Sequence, residues 1–431
     1  MADTIFALAS GAGRAGVAVV RLSGPQAGMA LTALAGTLPP ARTAMLRNVA
    51  HAGAVLDQAL LLWFPAPASF TGEDVAELHL HGGRAVRAAV FDSLMALGLR
   101  PAEPGEFSRR AVENGKLDLT RAEAIADLVD AETEAQRRQA LRQYDGALAD
   151  LYESWRAQLI MTLGRAEAAI DFSDDGVGDA EFDASRQAAV HLSEEIRAHL
   201  DDAGRGEALR EGVRLAIIGP PNAGKSSLLN ALARRDVAIV SDIAGTTRDV
   251  IEARLDLGGV LVIAADTAGL RASRDAIEAE GVRRALARAK DAHLTLLLLD
   301  ANAAGEAAAI PGDLKPDLVV WNKTDLKAHD GISISLKTGA GVPAMLKLLQ
   351  QKVQQKFAGF DPSWAPALTR PRHRAALVEA LAALDHAGSA AEPELLAEDL
   401  RLAMRAVGRI TGRVDVEEVL EFIFRDFCIG K

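Results

Sequence analysis

Cysteine is almost absent from this sequence. Cys428 is the only one among 431 residues, which excludes an intramolecular disulfide and a cysteine-based zinc site. Long apolar runs are missing as well, because no stretch approaches the ~18 residues that a membrane-spanning helix requires. The amino terminus has no basic segment ahead of an apolar one, so a secretory signal is not predicted. We therefore expect a cytoplasmic protein without a membrane segment.

Positive charge is also in short supply. Asp and Glu outnumber Lys and Arg by 59 to 48, which gives a net charge of −11 and argues against a uniformly basic surface for nucleic acid. Any contact with RNA would need a local basic patch or a partner. Apolar residues make up 49% and charged residues 25% of the chain, as in ordinary soluble globular proteins, and the length suggests roughly three domains.

The pattern of apolar residues also divides the chain into three domains. Residues 1–117 mix short β-like runs with turn signals and predict an α+β domain. Residues 211–357 alternate strand and helix patterns, which predicts a mostly parallel sheet covered by helices. The segments on either side follow a 3.6-residue period. We expect these two segments, 118–210 and 358–431, to form one α-helical domain into which the α/β domain is inserted.

Residues 219–226 read GPPNAGKS and fit the pattern G-x-x-x-x-G-K-[ST]. A predicted strand precedes them and a predicted helix follows, which is the context of a phosphate-binding loop. Backbone N–H groups and the helix N-terminus would hold the phosphates, Lys225 would reach the β- and γ-phosphates, and Ser226 would ligate Mg²⁺. The residues expected to bind phosphate are Asn222, Ala223, Gly224, Lys225, Ser226 and Ser227.

Further elements follow this loop in the order expected of a GTPase. Asp266 could hold Mg²⁺ through water, and the Gly269 amide could meet the γ-phosphate. Asp325 could accept both N–H donors of guanine, a pair that adenine lacks, so GTP is favoured over ATP. Thr247 could ligate Mg²⁺. The alternative, glycine-rich turns in a generic α/β sheet, does not explain this order. The expected nucleotide-binding residues here are Asp266, Thr267, Ala268, Gly269, Asn322, Lys323, Thr324, Asp325, Ser335, Leu336 and Lys337.

Hydrolysis also needs positive charge near the β–γ bridge and a group that orients water. The residue after Gly269 is Leu270 and not the glutamine of small signalling GTPases. Residues 222–230 and 242–249 resemble the potassium-dependent GTPases of the MnmE (TrmE) family. The resemblance implies a homodimer, a K⁺ ion in place of an arginine finger, and Glu278 as the residue that orients water. It implies K⁺ ligation by the Asn222 side chain and by the carbonyls of Ser241, Ile243 and Thr246, within a nucleotide-contacting loop formed by Ser241, Asp242, Ile243, Ala244, Gly245, Thr246 and Thr247.

The resemblance covers nearly the whole chain. It extends to residues 16–25, 70–77, 104–111 and 114–119 and to the tail 427–431. It implies that the N-terminal domain binds 5-formyl- or methylene-tetrahydrofolate through residues that would otherwise be read as surface charges: Arg21, Glu77, Lys116 and Lys431.

Three other features have a structural interpretation and a functional one. Cys428 is either a small buried residue or a participant near the folate site. His79 and His81 lie on one strand face but lack a third metal ligand, so a structural role is favoured. The basic run at residues 370–374 fits a solvated helix start better than a contact with tRNA phosphates.

The resemblance also implies the overall activity. With the flavoprotein MnmG, which would supply FAD, the chain would use a folate one-carbon unit to add a carboxymethylaminomethyl group at C5 of the wobble uridine, position 34, of tRNA. Two alternatives stay open. One is a regulatory GTPase switch in ribosome or RNA assembly without one-carbon chemistry, and the other is a dimerisation scaffold with a silent nucleotide site.

Overall fold

The computed structural model describes most of the chain. The chain forms two compact units. The first unit contains Met1–Ala126, Tyr144–Gly164 and Leu400–Lys431, and the second contains Asp127–Gln143 and Arg165–Asp399. The described residues are 3–171, 177–202, 204–235, 237–239, 252–266, 291–303, 315–356 and 367–414, with Leu420, Ile423, Phe424, Phe427 and Gly430.

An antiparallel sheet forms the centre of the first unit. Its order is β3-β4-β5-β2-β1-β6, and β6 alone pairs in parallel, with β1. One face packs on two helices through a core that includes Leu22, Leu31, Leu61, Leu78 and Leu94, which confirms the predicted α+β architecture. The elements are β1 (Ile5–Leu8), β2 (Ala18–Ser23), α1 (Ala27–Ala35), β3 (Met45–His51), β4 (Ala54–Phe64), β5 (Val75–Leu80), α2 (Arg84–Ala96), β6 (Arg100–Pro101) and α3 (Glu106–Glu113).

Helices follow the first sheet, as the 3.6-residue period predicts. Within the second unit, α7 packs along α11, and Pro371 opens α11 at a position where its missing N–H costs nothing. These helices are α4 (Leu119–Asp130), α5 (Glu134–Tyr144), α6 (Ala147–Asp171), α7 (Val177–Leu200), α8 (Arg205–Glu211), α11 (Pro371–Gly388) and α12 (Pro393–Thr411).

Between α8 and α11 lies the predicted α/β region. Its sheet has the order β12-β11-β10-β7-β9-β8 and is parallel except for β8, which pairs antiparallel with β9. Alternate residues of β7 enter cores on both faces, as expected for a parallel sheet covered on both sides. The elements are β7 (Val213–Ile218), α9 (Lys225–Ala233), β8 (Glu252–Asp256), β9 (Leu261–Asp266), β10 (Leu294–Asp300), β11 (Leu318–Asn322), β12 (Ile332–Ser333) and α10 (Val342–Lys356).

One carboxylate joins both connections of the α/β region to α4. Asp127 Oδ1 accepts hydrogen bonds from Arg210 Nε at 2.9 Å and from Arg370 Nη2 at 2.6 Å. Arg210 lies just before β7, and Arg370 lies just before α11. The Gln136 side chain adds a hydrogen bond to the Arg210 carbonyl at 2.9 Å. The chain therefore enters and leaves the α/β region at neighbouring points, as an insertion requires.

The basic run at residues 370–374 differs from its expected solvated state. Arg374 pairs with Asp202 at 2.6 Å and with Glu207 at 3.0 Å, while Arg370 pairs with Asp127. These two arginines are therefore engaged in ion pairs within the second unit.

No helix within the described ranges combines the length and apolar character needed to cross a bilayer.

Candidate nucleotide-binding site and folate pocket

The loop between β7 and α9 approaches its neighbours so closely that only glycine fits at two positions. Gly219 has φ +151°, and a Cβ there would lie 2.1 Å from the Leu298 carbonyl oxygen of β10. Gly224 has φ +103°, and a Cβ would lie 2.4 Å from Asn322 Nδ2. Both glycines are therefore needed for the backbone path of this loop.

Lys225 is the first residue of α9 and is buried at the base of this loop. Its ammonium group donates hydrogen bonds to the carbonyl oxygens of Gly219 and Pro220, each at 2.8 Å. Asn222, at the crest of the loop, has a left-handed backbone with φ +61°. A helix N-terminus and a lysine together provide the positive potential that phosphates require.

The Asn322 side chain connects the phosphate loop to the loop that follows β12. Its amide Nδ2 donates to the Ala223 carbonyl at 2.8 Å, and its Oδ1 accepts from the Leu336 N–H at 3.3 Å. The side chain is buried, with 3% of its surface exposed. Asn322 therefore fixes the distance between the phosphate loop and the loop that follows β12.

The predicted base-reading residue Asp325 is exposed and held in place by Ser335. Ser335 Oγ donates to Asp325 Oδ1 at 2.7 Å, and the Thr338 N–H donates to Ser335 Oγ at 3.3 Å. Thr324, between Asn322 and Asp325 in the same loop, donates from Oγ1 to the Ile334 carbonyl at 2.9 Å. One oxygen of Asp325 is thus oriented by the protein, and the side chain remains accessible to a ligand.

These residues surround a single cavity of about 700 Å³, which lies within the usual range for small-molecule sites. Phosphate-loop residues form one end, and the residues predicted to contact the base form the other. The lining residues are Pro221, Asn222, Gly224, Lys225, Ser226, Ser227, Asn322, Lys323, Asp325, Leu326, Leu336 and Lys337.

Only part of the two predicted metal sites lies within the described residues. Asp266 ends β9 directly opposite Ile217 of β7, so its backbone lies at the same edge of the sheet as the phosphate loop. The described residues include no group of three or more His, Cys, Asp or Glu side chains suited to a metal. Of the predicted Mg²⁺ and K⁺ ligands, Ser226 and Asn222 are described. The predicted nucleotide- and metal-site residues that lie outside the described ranges are Ser241, Asp242, Ile243, Ala244, Gly245, Thr246, Thr247, Thr267, Ala268, Gly269 and Glu278.

Asp300, which ends β10 beside Asn322, was not among the predicted site residues. Asp300 Oδ2 accepts a hydrogen bond from Lys323 Nζ at 2.6 Å. The only signal in the sequence is an aspartate directly after an apolar run, at the same strand end as the predicted base site.

In the first unit, two residues predicted to bind folate meet across neighbouring strands. Arg21 of β2 faces Glu77 of β5 in register, with Nη2 2.9 Å from Oε1. The rings of Phe70 and Phe107 lie 5.5 and 5.9 Å from the Arg21 guanidinium. Lys116 is exposed and lies against Gly72, where a Cβ would be 3.3 Å from Lys116 Cε. Aromatic faces, a carboxylate and cations therefore line this part of the sheet.

The two histidines of β5 and its end pair with different carboxylates. His79 Nε2 lies 3.3 Å from Glu77 Oε2, and His81 Nδ1 lies 2.7 Å from Asp57 Oδ1. These separate partners agree with the structural role expected for both.

A network of ion pairs holds α3, and with it Phe107, against the sheet. Glu106 accepts hydrogen bonds from Arg100 Nη2 at 2.6 Å and from Arg110 Nη2 at 2.9 Å. Burial alone would raise the pKa of Glu106, but the hydrogen bonds from Arg100, from the Glu103 N–H and from Arg110 outweigh it and hold the pKa below its usual value. Glu106 therefore stays ionised at neutral pH.

The described part of the C-terminal tail packs on the same unit. Gly105 has φ +66°, and a Cβ there would lie 2.8 Å from Phe424 Cδ1 and 2.9 Å from Phe427 Cβ. At Gly430 a Cβ would lie 2.1 Å from the Leu8 carbonyl oxygen, at the end of β1. Lys431 and Cys428 themselves lie outside the described residues.

Two family models together match nearly the whole chain. Residues 4–116 match the family described as GTP-binding protein TrmE N-terminus, and residues 119–428 match the MnmE helical domain. Three similar proteins are each named tRNA modification GTPase MnmE. The protein of Rhodospirillum rubrum is 56% identical over all of this chain and 99% of its own length. Those of Paramagnetospirillum magneticum and Parvibaculum lavamentivorans are 56% and 57% identical over the full length of both chains.

Proposed function

Because this chain belongs to the MnmE family of tRNA modification GTPases, we propose that it hydrolyses GTP as part of a tRNA modification reaction. The observation that carries the proposal is the cavity between the phosphate loop and Asp325, with Lys225 at one end and the Ser335-oriented carboxylate at the other. That arrangement suits a triphosphate at the first end and a guanine edge at the second.

We propose Mg²⁺ and K⁺ as the metal ions of this site. Ser226 is the second residue of α9, and the backbone of Asp266 lies at the same edge of the sheet. Both residue types carry oxygen donors suited to Mg²⁺. Thr247 would complete this set. The Asn222 side chain, at the left-handed crest of the loop, offers an amide oxygen to K⁺, with carbonyls from Ser241, Ile243 and Thr246. A monovalent ion there would supply the positive charge that an arginine finger gives other GTPases, while Glu278 orients the attacking water.

The first unit is proposed to bind a reduced folate. Arg21 and Lys116 are suited to the folate carboxylates, Glu77 can accept hydrogen bonds from N–H groups of the pterin, and the partly exposed Phe70 offers a ring face. The packing of Gly430 against Leu8 supports a place for Lys431 near this pocket, because Leu8 adjoins Ala7 and Ala7 pairs with Arg21.

We propose that each part of the chain has its own role within one homodimeric enzyme. We propose that residues 1–117 bind folate and dimerise, that residues 211–357 bind GTP, and that residues 118–210 and 358–431 form the helical domain. The partner would be the flavoprotein MnmG, which carries FAD, and the product would be tRNA with a carboxymethylaminomethyl group at C5 of the wobble uridine, position 34. 5-Formyl- or methylene-tetrahydrofolate would supply the one-carbon unit.

Two measurements on the full-length chain test the proposal. The first compares hydrolysis of GTP and ATP with Mg²⁺ and K⁺, where we expect turnover of GTP only and its loss in Lys225→Ala. The second measures binding of 5-formyl-tetrahydrofolate by equilibrium dialysis to the wild type and to Arg21→Ala. A chain that hydrolyses GTP but binds no folate is a regulatory switch, and a chain that does neither is a scaffold.

A further inference from the structure

Asp300 is a carboxylate at the end of β10 whose two oxygens have separate partners. Oδ1 accepts hydrogen bonds from the N–H of Asn302 at 2.9 Å and from its side-chain Nδ2 at 3.1 Å. Oδ2 accepts from Lys323 Nζ at 2.6 Å. Because Asn302 holds Oδ1 in place, the position of Oδ2, which binds Lys323, is fixed as well.

The charge of Asp300 is maintained at neutral pH. Burial would raise its pKa, but the hydrogen bonds from Lys323 and Asn302 outweigh this effect and hold the pKa below its usual value. The pairing with Lys323 therefore persists at neutral pH.

Lys323 connects this pair to the cavity. It lines the cavity beside Asn322 and Asp325, and its backbone has φ +63°, a conformation that costs energy for a residue with a side chain. A free lysine side chain loses entropy when a ligand orders it, whereas one whose ammonium group is already anchored has lost that entropy before the ligand arrives. The apolar stem of the anchored lysine then presents an ordered surface along the cavity.

We propose that Asp300 is a positioning residue of the base site, which holds the stem of Lys323 against the face of the purine ring while Asp325 reads the edge of the ring. This inference rests on the proposed binding of guanine nucleotide. All purines offer a similar face, so removing the charge of Asp300 weakens the binding of GDP and of IDP by the same factor. Removing the charge of Asp325 changes the ratio of the two dissociation constants, because hypoxanthine lacks the amino group of guanine.

A double-mutant cycle on the full-length chain tests the inference, with the dissociation constant of GDP as the readout. Asp300→Asn keeps the shape and the acceptor for Asn302 but turns a donor towards Lys323. Lys323→Met keeps the stem and removes the ammonium group. We expect Asp300→Asn to weaken GDP and IDP equally, by about tenfold, and to change the GDP constant by less than about twofold in the Lys323→Met background.

Asp317→Asn is the matched control. Asp317 accepts hydrogen bonds from the N–H and Oγ1 of Thr295 at 2.8 and 3.1 Å, near the opposite ends of the same two strands, and we expect it to leave GDP binding within about twofold of the wild type. Equal effects of Asp300→Asn in both backgrounds, or an equal loss in Asp317→Asn, would overturn the assignment. Wild-type protein that binds GDP while the two substitutions act independently contradicts only this inference. Wild-type protein that binds no guanine nucleotide contradicts the proposed function too.

Discussion

The Ser335 hydroxyl donates a 2.7 Å hydrogen bond to the carboxylate of Asp325. Ser335 itself is buried, while Asp325 is exposed at the rim of the cavity. A residue after β12 thus orients the carboxylate that we propose as the reader of the guanine edge. We therefore expect base selectivity to depend on the loop that contains Asp325 and on the loop after β12, which the Asn322 side chain joins.

Ser335→Ala should reduce guanine selectivity without abolishing binding. The hydrogen bond that is lost involves a charged acceptor, but the acceptor is exposed, so we expect about five- to tenfold weaker GDP binding. Asp325→Asn removes the acceptor of both guanine N–H groups and should weaken GDP by far more. Titration with fluorescent GDP measures both. Unchanged affinity in Ser335→Ala would show that Asp325 needs no orientation from Ser335.

Asp127→Ala should destabilise the second unit. The side chain is 8% exposed and holds two arginines, so its loss leaves two guanidinium groups without their shared partner, at a cost of about 2–4 kcal/mol. Chemical or thermal unfolding of the full chain measures this change. The control is Asp385→Ala, which breaks a pair with Arg197 that is about half exposed and should cost less than about 1 kcal/mol. Equal effects would mean that the Asp127 cluster does not fasten the inserted region.

Gly105→Ala should displace the C-terminal tail and impair folate binding while GTP hydrolysis continues. The new Cβ would collide with Phe424 and Phe427, which belong to the segment that leads to Lys431. Gly36→Ala is a suitable control, because Gly36 has a comparable φ of +77° and no atom within 4 Å of its Cβ position. Dialysis against 5-formyl-tetrahydrofolate and GTP turnover are measured for both variants. Normal folate binding by Gly105→Ala would show that folate binding does not depend on the position of the tail.

Acid should destabilise the first unit through Glu106. Its folded pKa lies below the usual value of 4.5, so the unfolded chain takes up a proton more readily than the folded one as the pH falls. The stabilisation is therefore complete well above pH 4.5 and declines as the pH falls below 4.5 towards the folded pKa. Unfolding midpoints measured from pH 7 to pH 3 should show this decline in the wild type and a shallower one in Glu106→Gln, which starts from a lower stability. Parallel curves would contradict the assignment.

Local sequence patterns predicted the site residues that lie within one turn and its flanking elements. Asn322 ends a buried strand, and Lys225 and Asp325 lie in the segments that follow such strands. A strand followed by a turn with fixed chemistry can be read from consecutive residues. Asp300 and Asp127 were missed because their partners are distant in the chain. Lys323 is 23 residues from Asp300, and Arg370 is 243 residues from Asp127. No periodicity records such pairings, since they arise only when the sheet and the helices pack.

The same reasoning explains the tail and the basic run at residues 370–374. The fit of Gly105 under Phe424 and Phe427 depends on an approach that the chain makes only after folding. Arg370 and Arg374 looked solvated because their acidic partners Asp127, Asp202 and Glu207 lie far away in sequence.

The most direct test of the account is GTP turnover by the full-length chain in K⁺ and in Na⁺ at equal ionic strength, for the wild type, Asn222→Ala and Asn230→Ala. Asn230 is an exposed asparagine of α9 that does not line the cavity, so it controls for loss of an amide. We predict fast turnover in K⁺ only, its loss in Asn222→Ala and its retention in Asn230→Ala. Equal wild-type rates in the two salts would contradict the proposal that a bound monovalent cation supplies the charge for hydrolysis.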